Sequence, residues 1–512
     1  MSTVDIPVRT VPPPSAAAIS LLRRYRRLLL IESRRSAMPV LLPLVALLFY
    51  FDAFRTANGM VPTWTMRAAV IPNHVFADIG PFTAGLSAWM GAREKQRGMS
   101  DLLSTTPRPR WGRQVATWGA CAAWTMLAYA GCVAVIYGVA ATKATWGGPP
   151  WWPVVMTGLA VIMCCTAGFI AGSWFPSRFT APLAAIAVVF IFGTVFQSAV
   201  GETGGITQIS VSNSVPDPSL GVFYPTPPDV PMAQSICFAG VILALLGTLG
   251  IRGAALNLAP RRLAAVVALV GVAAAGTALG LVSTSKMESA GEVIPALHDA
   301  ASDRPIPFTP LCDSAAVPVC MHPAFQYEAA QVQSSLDPVL ATVAGLPGAP
   351  VRAEQVSLDS PELPPPYQQE QSAVSLSAPT GGAAPVLYFG YQQQIFTSLA
   401  RGINPQLQDQ AAVSVLQRLI APPATADPAQ QAVEGALLQA MGIPLGVPLR
   451  QALQLSESQS APAYSSPIPA PGTPAYSAAK KFAALPAGTR HAWLTDHLAA
   501  LRAGQITLAE LP

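Results

Sequence analysis

The chain has 512 residues, 51% of them hydrophobic and only 11% charged, with a mean hydropathy of +0.41. Soluble globular chains carry about 25% charged residues, so this composition points to the bilayer as solvent. The net charge of +4 conceals two opposite halves, since residues 1–284 hold 20 basic and 9 acidic side chains whereas residues 285–512 hold 10 and 17. The basic residues are strung along the edges of apolar runs with no reading module around them, which argues against nucleic acid as a partner.

In chain order, a polar, Pro-rich tail leads into a basic amphipathic segment from Ser15 to Ala37. Leu21, Leu22, Tyr25, Leu28 and Leu29 share one helical arc, and Arg23, Arg26, Arg27 and Arg34 share the other. Residues 1–37 therefore read as a cytoplasmic tail with an interfacial helix. No cleavable signal peptide precedes the first apolar run, which reads as an uncleaved span. Crossing the hydrocarbon core takes about 20 apolar residues. Runs near that length cover Met38 to Phe54, Ala68 to Ala92, Val115 to Ala140, Val154 to Trp174, Ala181 to Val200, Met232 to Ile251 and Leu263 to Val282. The second run carries Pro72, Asp78, Gly80 and Pro81, which a lipid-facing helix tolerates poorly, so the expectation is six to seven spans.

Basic residues orient the spans. One side's segments hold 17 Lys and Arg, and the other side's hold only Arg55, Arg67 and Lys143; the positive-inside rule then makes the N-terminus cytoplasmic and puts everything after Val282 outside the cell membrane. The expected fold class is a membrane all-α polytopic bundle over residues 38–284, followed by an extracytoplasmic α+β domain over residues 285–512. In that domain the patterning predicts helices at residues 324–344, 394–400, 409–420, 428–441 and 488–503, and strands at residues 351–358 and 386–391. The Pro- and Ser-rich segments 362–385 and 456–476 read as flexible insertions. Cys121, Cys132, Cys164, Cys165 and Cys237 fall in apolar spans, where a thiol acts as a small hydrophobe. Cys312 and Cys320 lie in the outer part, where an oxidising compartment favours a disulfide.

Motifs that would carry chemistry are missing. The chain has no G-x-x-x-x-G-K-[ST] loop, so it holds no ATP in the P-loop manner, and it has no H-E-x-x-H, C-x-x-C or G-x-S-x-G. His491 and His497 fall on different faces of the last helix, and His322 reads as a ligand or a surface residue near the disulfide. No metal and no catalytic group is expected. His74 and Asp78 are four residues apart near one end of the second run and can share a helix face, which makes them a candidate intramembrane polar site.

The segment between the second and third runs, residues 93–113, is the most distinctive. After Arg93 and Glu94 comes a break at Gly98, then Met99, Leu102 and Leu103 at the i, i+3, i+4 spacing of a short amphipathic helix, then Thr106-Pro107 and further arginines. An apolar face on a short loop helix wants a covering surface. Glu94, Gly98, the Leu102-Leu103 pair and Thr106-Pro107 resemble the coupling helix of ATP-binding-cassette (ABC) transporter permeases of the type-2 exporter class, and the amphipathic helix before the first run is similar to that family's interfacial helix. The resemblance spans residues 20–260. It implies a permease subunit coupled through residues 93–110 to a separate ATPase, which would hold the ATP and magnesium, and paired with a second permease copy or relative. Glu94, Gly98, Met99, Leu102, Leu103 and Pro107 would form the coupling surface. A seventh span and an outer domain depart from the family plan. The alternatives are a membrane-anchored outer enzyme of degenerate peptidase type and a structural or signalling membrane protein.

Overall fold

A computed structural model describes residues 27, 29–98, 110–192, 209–211, 220–253, 258–288, 291–358, 360, 362–363, 372–377, 384–391, 405–420, 426–445 and 469–512. The chain is mostly helical, with a small sheet in its C-terminal part. Helices of the first part are α1 (Met38–Gly59), α2 (residues 64–96), α3 (Arg110–Lys143), α4 (Trp152–Trp174), α5 (Thr180–Phe190), α6 (Asp229–Gly253) and α7 (Leu258–Val282).

Among the described residues, five helices are long and apolar enough to cross a membrane, namely α1, α3, α4, α6 and α7. Two of the seven runs read from the sequence are not among these five. The run from Ala68 to Ala92 lies inside α2, which is long but too polar to count by composition. Its small and polar residues are explained by packing: Thr83, Ala84, Ser87 and Ala88 are all buried, with α4 and α5 as major neighbours. A helix covered by protein needs no lipid-compatible surface. The run from Ala181 to Val200 yields the short apolar helix α5, and residues 193–200 lie outside the described residues.

Small residues set the closest helix approaches. A Cβ at Gly91 would lie 2.2 Å from Phe169 O, one at Gly168 would lie 2.1 Å from Ala84 O, and one at Gly172 would lie 1.8 Å from Ala88 O. The backbones of α2 and α4 therefore touch along a Gly168-x-x-x-Gly172 seam, the arrangement that lets helices associate in lipid through dispersion contacts. In the α6–α7 pair, a Cβ at Gly271 would meet Ala244 N at 2.4 Å and one at Gly247 would meet Ala268 N at 2.6 Å. The outward faces are apolar, with Leu183 and Ile186 on α5 and Leu269 and Val272 on α7 exposed.

The C-terminal part begins with a small hairpin, β1 (Lys286–Glu288) and β2 (Gly291–Val293). A five-stranded mixed sheet follows in the order β3-β4-β5-β7-β6, from β3 (Leu311–Cys312), β4 (Val319–Met321), β5 (Arg352–Gln355), β6 (Ser372–Leu376) and β7 (Val386–Tyr391). Strand β4 runs parallel to β5 and β5 to β7, while β3 and β6 pair antiparallel at the two edges. Cys312 and Cys320 face each other across the β3–β4 pair and form a disulfide. The five other cysteines are free and buried.

The helices are α8 (Ala329–Val343), α9 (Pro405–Leu419), α10 (Pro428–Ala440), α11 (Pro474–Ala484) and α12 (Ala487–Arg502). Their apolar stripes bury Val332, Leu336, Leu416, Val433, Phe482 and Leu498 in one core with the sheet. Asp427 caps α10 through a capping box with Gln430, whose side-chain amide also donates to Leu501 O at 2.8 Å, tying α10 to α12. One reading needs correction here, and two others fall on residues that are mostly undescribed. Segment 362–385, read as a flexible insertion, contains edge strand β6, because Ala373 and Val374 bury against the core. Segment 456–476 lies mostly outside the described residues, and its last residues, from Pro474, open α11. Residues 394–400, read as a helix, also lie outside them.

Candidate functional site

Helix α2 carries a polar cluster near one end and an ion pair at the other. Its ladder widens into a π turn at Ile71–Val75, where Pro72 donates no N–H, and the side chain of Asn73 donates to Ala69 O at 2.9 Å. A second π turn, Tyr50–Phe54, interrupts α1 and packs against the first. These turns bring Asp52 and His74 together: His74 Nδ1 lies 3.0 Å from Asp52 Oδ2 and 3.2 Å from Oδ1. Asp78 follows one turn later on α2, is 8% exposed, and lies within electrostatic reach of Asp52. Asp78 Oδ2 is buried without a hydrogen-bond partner among the described residues. The sequence singles out His74 and Asp78; Asp52, which joins them from α1, is hidden within an apolar run.

At the far end of α2, Arg93 Nη2 donates to Glu32 Oε2 at 2.7 Å, joining α2 to the helical residues 29–35 before α1. His74 and Arg93 are 19 residues apart on this helix, which is roughly 28 Å at helical rise. That nearly matches the ~30 Å hydrocarbon core. The His74–Asp52 contact and the Arg93–Glu32 ion pair thus lie about one hydrocarbon thickness apart along α2.

Glu94 sits in the last turn of α2, and Gly98 adopts φ +62° just beyond its end. A left-handed glycine there satisfies the terminal carbonyls, as its N–H donation to Lys95 O at 3.1 Å shows. Met99, Leu102, Leu103 and Pro107 lie outside the described residues. The chain resumes at Arg110 as α3, whose 34 residues span roughly 51 Å.

The opposite end of α3 meets the C-terminal part directly. Thr145 Oγ1 donates to Pro323 O at 2.8 Å, and Trp146 packs edge-on to His322 with centroids 5.0 Å apart. His322 is fully buried in a box completed by Phe308 at 4.2 Å, Phe223 at 5.1 Å and Phe325 at 6.0 Å. Its Nδ1 accepts from the Ala324 N–H at 3.1 Å, and burial pushes its imidazole down to about 4. The residue that the sequence offered as a ligand or a surface group is instead the centre of an aromatic joint. No family model, curated protein or solved structure matches the chain.

A second joint lies at the start of α6. Buried Asp229 accepts from Ile294 N at 3.2 Å and from His298 Nδ1 at 3.1 Å, while His298 Nε2 faces Asp303 at 3.0 Å. Asp303 first, and then Asp229, hold the His298 imidazole above its ordinary value. Neither joint was visible in the sequence, because each is assembled from segments more than 60 residues apart. Among the described residues no group of three or more His, Cys, Asp or Glu is arranged to hold a metal.

Proposed function

We propose that the chain is the membrane-spanning permease subunit of an ATP-driven transporter of the ABC type, an exporter, working with a separate ATPase that carries ATP and magnesium and with a second permease copy or relative. In this reading the arginine-rich end of the bundle is cytoplasmic, α2 and α5 join the other helices in the cell membrane, and residues 285–512 lie outside.

One observation carries the reading. The segment 93–110 joins two helices that each lead to a polar or aromatic joint at the opposite end. Helix α2 runs to the Asp52–His74–Asp78 cluster and is held by backbone contact to α4. Helix α3 runs to Thr145 and Trp146 against the C-terminal part. Displacement of the loop by a partner would therefore move both helices as rods, because close-packed interfaces shift between discrete arrangements and do not deform gradually. The Asp52–His74–Asp78 cluster would feel one rod and the C-terminal part the other.

The enzyme alternative asks for His322 beside carboxylates in a cleft, and an aromatic box with a depressed imidazole does not favour it. The test is a cysteine at Leu102 cross-linked to a co-expressed ATPase. A specific adduct that forms in the nucleotide-bound state supports the proposal; absence of any adduct and of any co-purifying ATPase refutes it.

A further inference from the structure

Two carboxylates and one imidazole meet between the π turns of α1 and α2. His74 turns Nδ1 to Asp52, within 3.2 Å of both carboxylate oxygens, while Asp78, one helical turn further along α2, keeps a buried Oδ2 with no hydrogen-bond partner among the described residues.

The elements packed around Asp78 bring it no counter-charge. Helix α1 offers Asp52, which has the same sign, and its Arg55 is exposed. Helix α3 offers the Cys132 thiol, and the phenols of Tyr129 and Tyr137 donate instead to Val154 O and Pro150 O. Helix α4 presents the Cys164 thiol, 3.7 Å from where a Cβ on Gly80 would sit, and α5 carries no titratable side chain. Arg67, nearer the start of α2, donates to Met60 O. Among the described residues no Lys or Arg forms an ion pair with Asp52 or Asp78.

An ionised carboxylate in such a place has lost its water and gained no donor, which costs far more than burying the neutral acid. A single proton removes that cost. It needs no cavity, because it travels along hydrogen bonds, and the way in is graded: the Asp52 side chain is 47% exposed and that of His74 18%, whereas Asp78 is 8% exposed. An imidazole accepts at one ring nitrogen and donates at the other, which suits His74 to pass a proton between two carboxylates.

We propose that the Asp52–His74–Asp78 cluster binds one proton, held on the Asp78 carboxylate and delivered from the surface through Asp52 and His74. In the final transfer an N–H bond of the His74 imidazolium breaks as an O–H bond forms on Asp78, leaving a neutral imidazole and a neutral acid. The proposal rests on the packing of α1 against α2 and not on transport, so it and the Leu102 cross-link succeed or fail separately.

The experiment records infrared difference spectra of the full-length protein in neutral-detergent micelles as the pH is stepped across neutrality, where solvated carboxyls stay ionised. The wild type should show the carbonyl stretch of one protonated carboxylic acid, which gives way to carboxylate bands as the pH rises. Asp78→Asn, which copies the shape of the neutral acid, should remove that band, and Asp409→Asn, at a half-buried carboxyl on α9, should leave it. In His74→Gln the band should persist while its shift on transfer to D2O slows about tenfold or more, because the relay is cut. A wild type without the band, a band that survives Asp78→Asn or disappears in Asp409→Asn, or unslowed exchange in His74→Gln overturns the proposal. Should Asp78→Asn fail to fold, Asp78→Glu decides: it keeps a carboxyl on a longer stem, so the band should move in frequency, and an unmoved band overturns the assignment.

Discussion

Replacing Gly172 with alanine adds a single methyl group at the tightest point between α2 and α4. That Cβ would sit 1.8 Å from Ala88 O and 2.6 Å from Ala88 C. Restoring an ordinary separation of about 3.2 Å requires the two backbones to part by about 1.4 Å, and a gap of even 0.5–1 Å forfeits a quarter to a half of each dispersion contact. In lipid the apolar surface gains nothing by leaving the bilayer, so these contacts are a main source of helix association. Overpacking of this kind costs about 1–3 kcal/mol, and the parting here, at the top of what such interfaces absorb, should reach about 3 kcal/mol. Gly131→Ala is the matched control: it lies on membrane helix α3 with nothing within 4 Å of the new Cβ, and the better helix propensity of alanine should make it neutral or stabilising by up to about 1 kcal/mol. Unfolding midpoints in mixed detergent–SDS micelles measure both. If Gly172→Ala unfolds no more easily than Gly131→Ala, the seam of backbone contact between α2 and α4 is wrong.

Removing the disulfide by Cys312→Ser with Cys320→Ser should destabilise the sheet edge by about 2.5 kcal/mol from loop entropy, read as lost protection of β3 and β4 amides in hydrogen exchange. His322 has a folded value pushed down to about 4 from 6.5. Its contribution is therefore fully present above pH 6.5 and is lost as pH falls toward 4, because the unfolded state takes up the proton first; the loss amounts to about 3 kcal/mol. His322→Asn keeps an acceptor for the Ala324 N–H and cannot titrate, so the difference between wild-type and variant unfolding midpoints should change between pH 6.5 and 4 and stay constant above. His298 has the opposite sign: its raised value gives stability below its unfolded value that fades as pH rises through the folded one, and His298→Gln should shift the neutral-to-alkaline limb. On the proposed permease reading, substituting Glu94 and Leu103 together should abolish transport-linked ATP hydrolysis by the proposed ATPase partner while leaving the unfolding midpoint of this chain within about 0.5 kcal/mol equivalent of wild type; an unaltered ATPase response counts against the proposed coupling role.

Apolar runs and their edges are local properties, so α1, α3, α4, α6 and α7 were legible within a few residues of their ends, as were the terminal helix with its buried Leu494, Leu498 and Leu501 and strand Val386–Tyr391. The disulfide was legible because two isolated cysteines close together in a segment otherwise free of them have few alternatives. Gly98 was legible as a break because only glycine takes a left-handed cap without strain. Strand β6 was not, because a short edge strand set among prolines owes its existence to β7 beside it.

What the sequence determined by itself is the solvent: hydropathy and charge asymmetry call for a bilayer and divide the chain near residue 284. The tertiary structure decided which side chains meet. The apolar run holding Asp52 became one half of a hydrogen-bonded pair with His74 because two π turns face each other, α2 became a protein-covered helix because glycines on α4 admit its backbone, and His322 became the core of a joint because Trp146 and Phe223 arrive from distant segments. Periodicity along a chain reports which face is buried. It carries no information about what buries it, since that depends on residues brought together only when the whole core has formed.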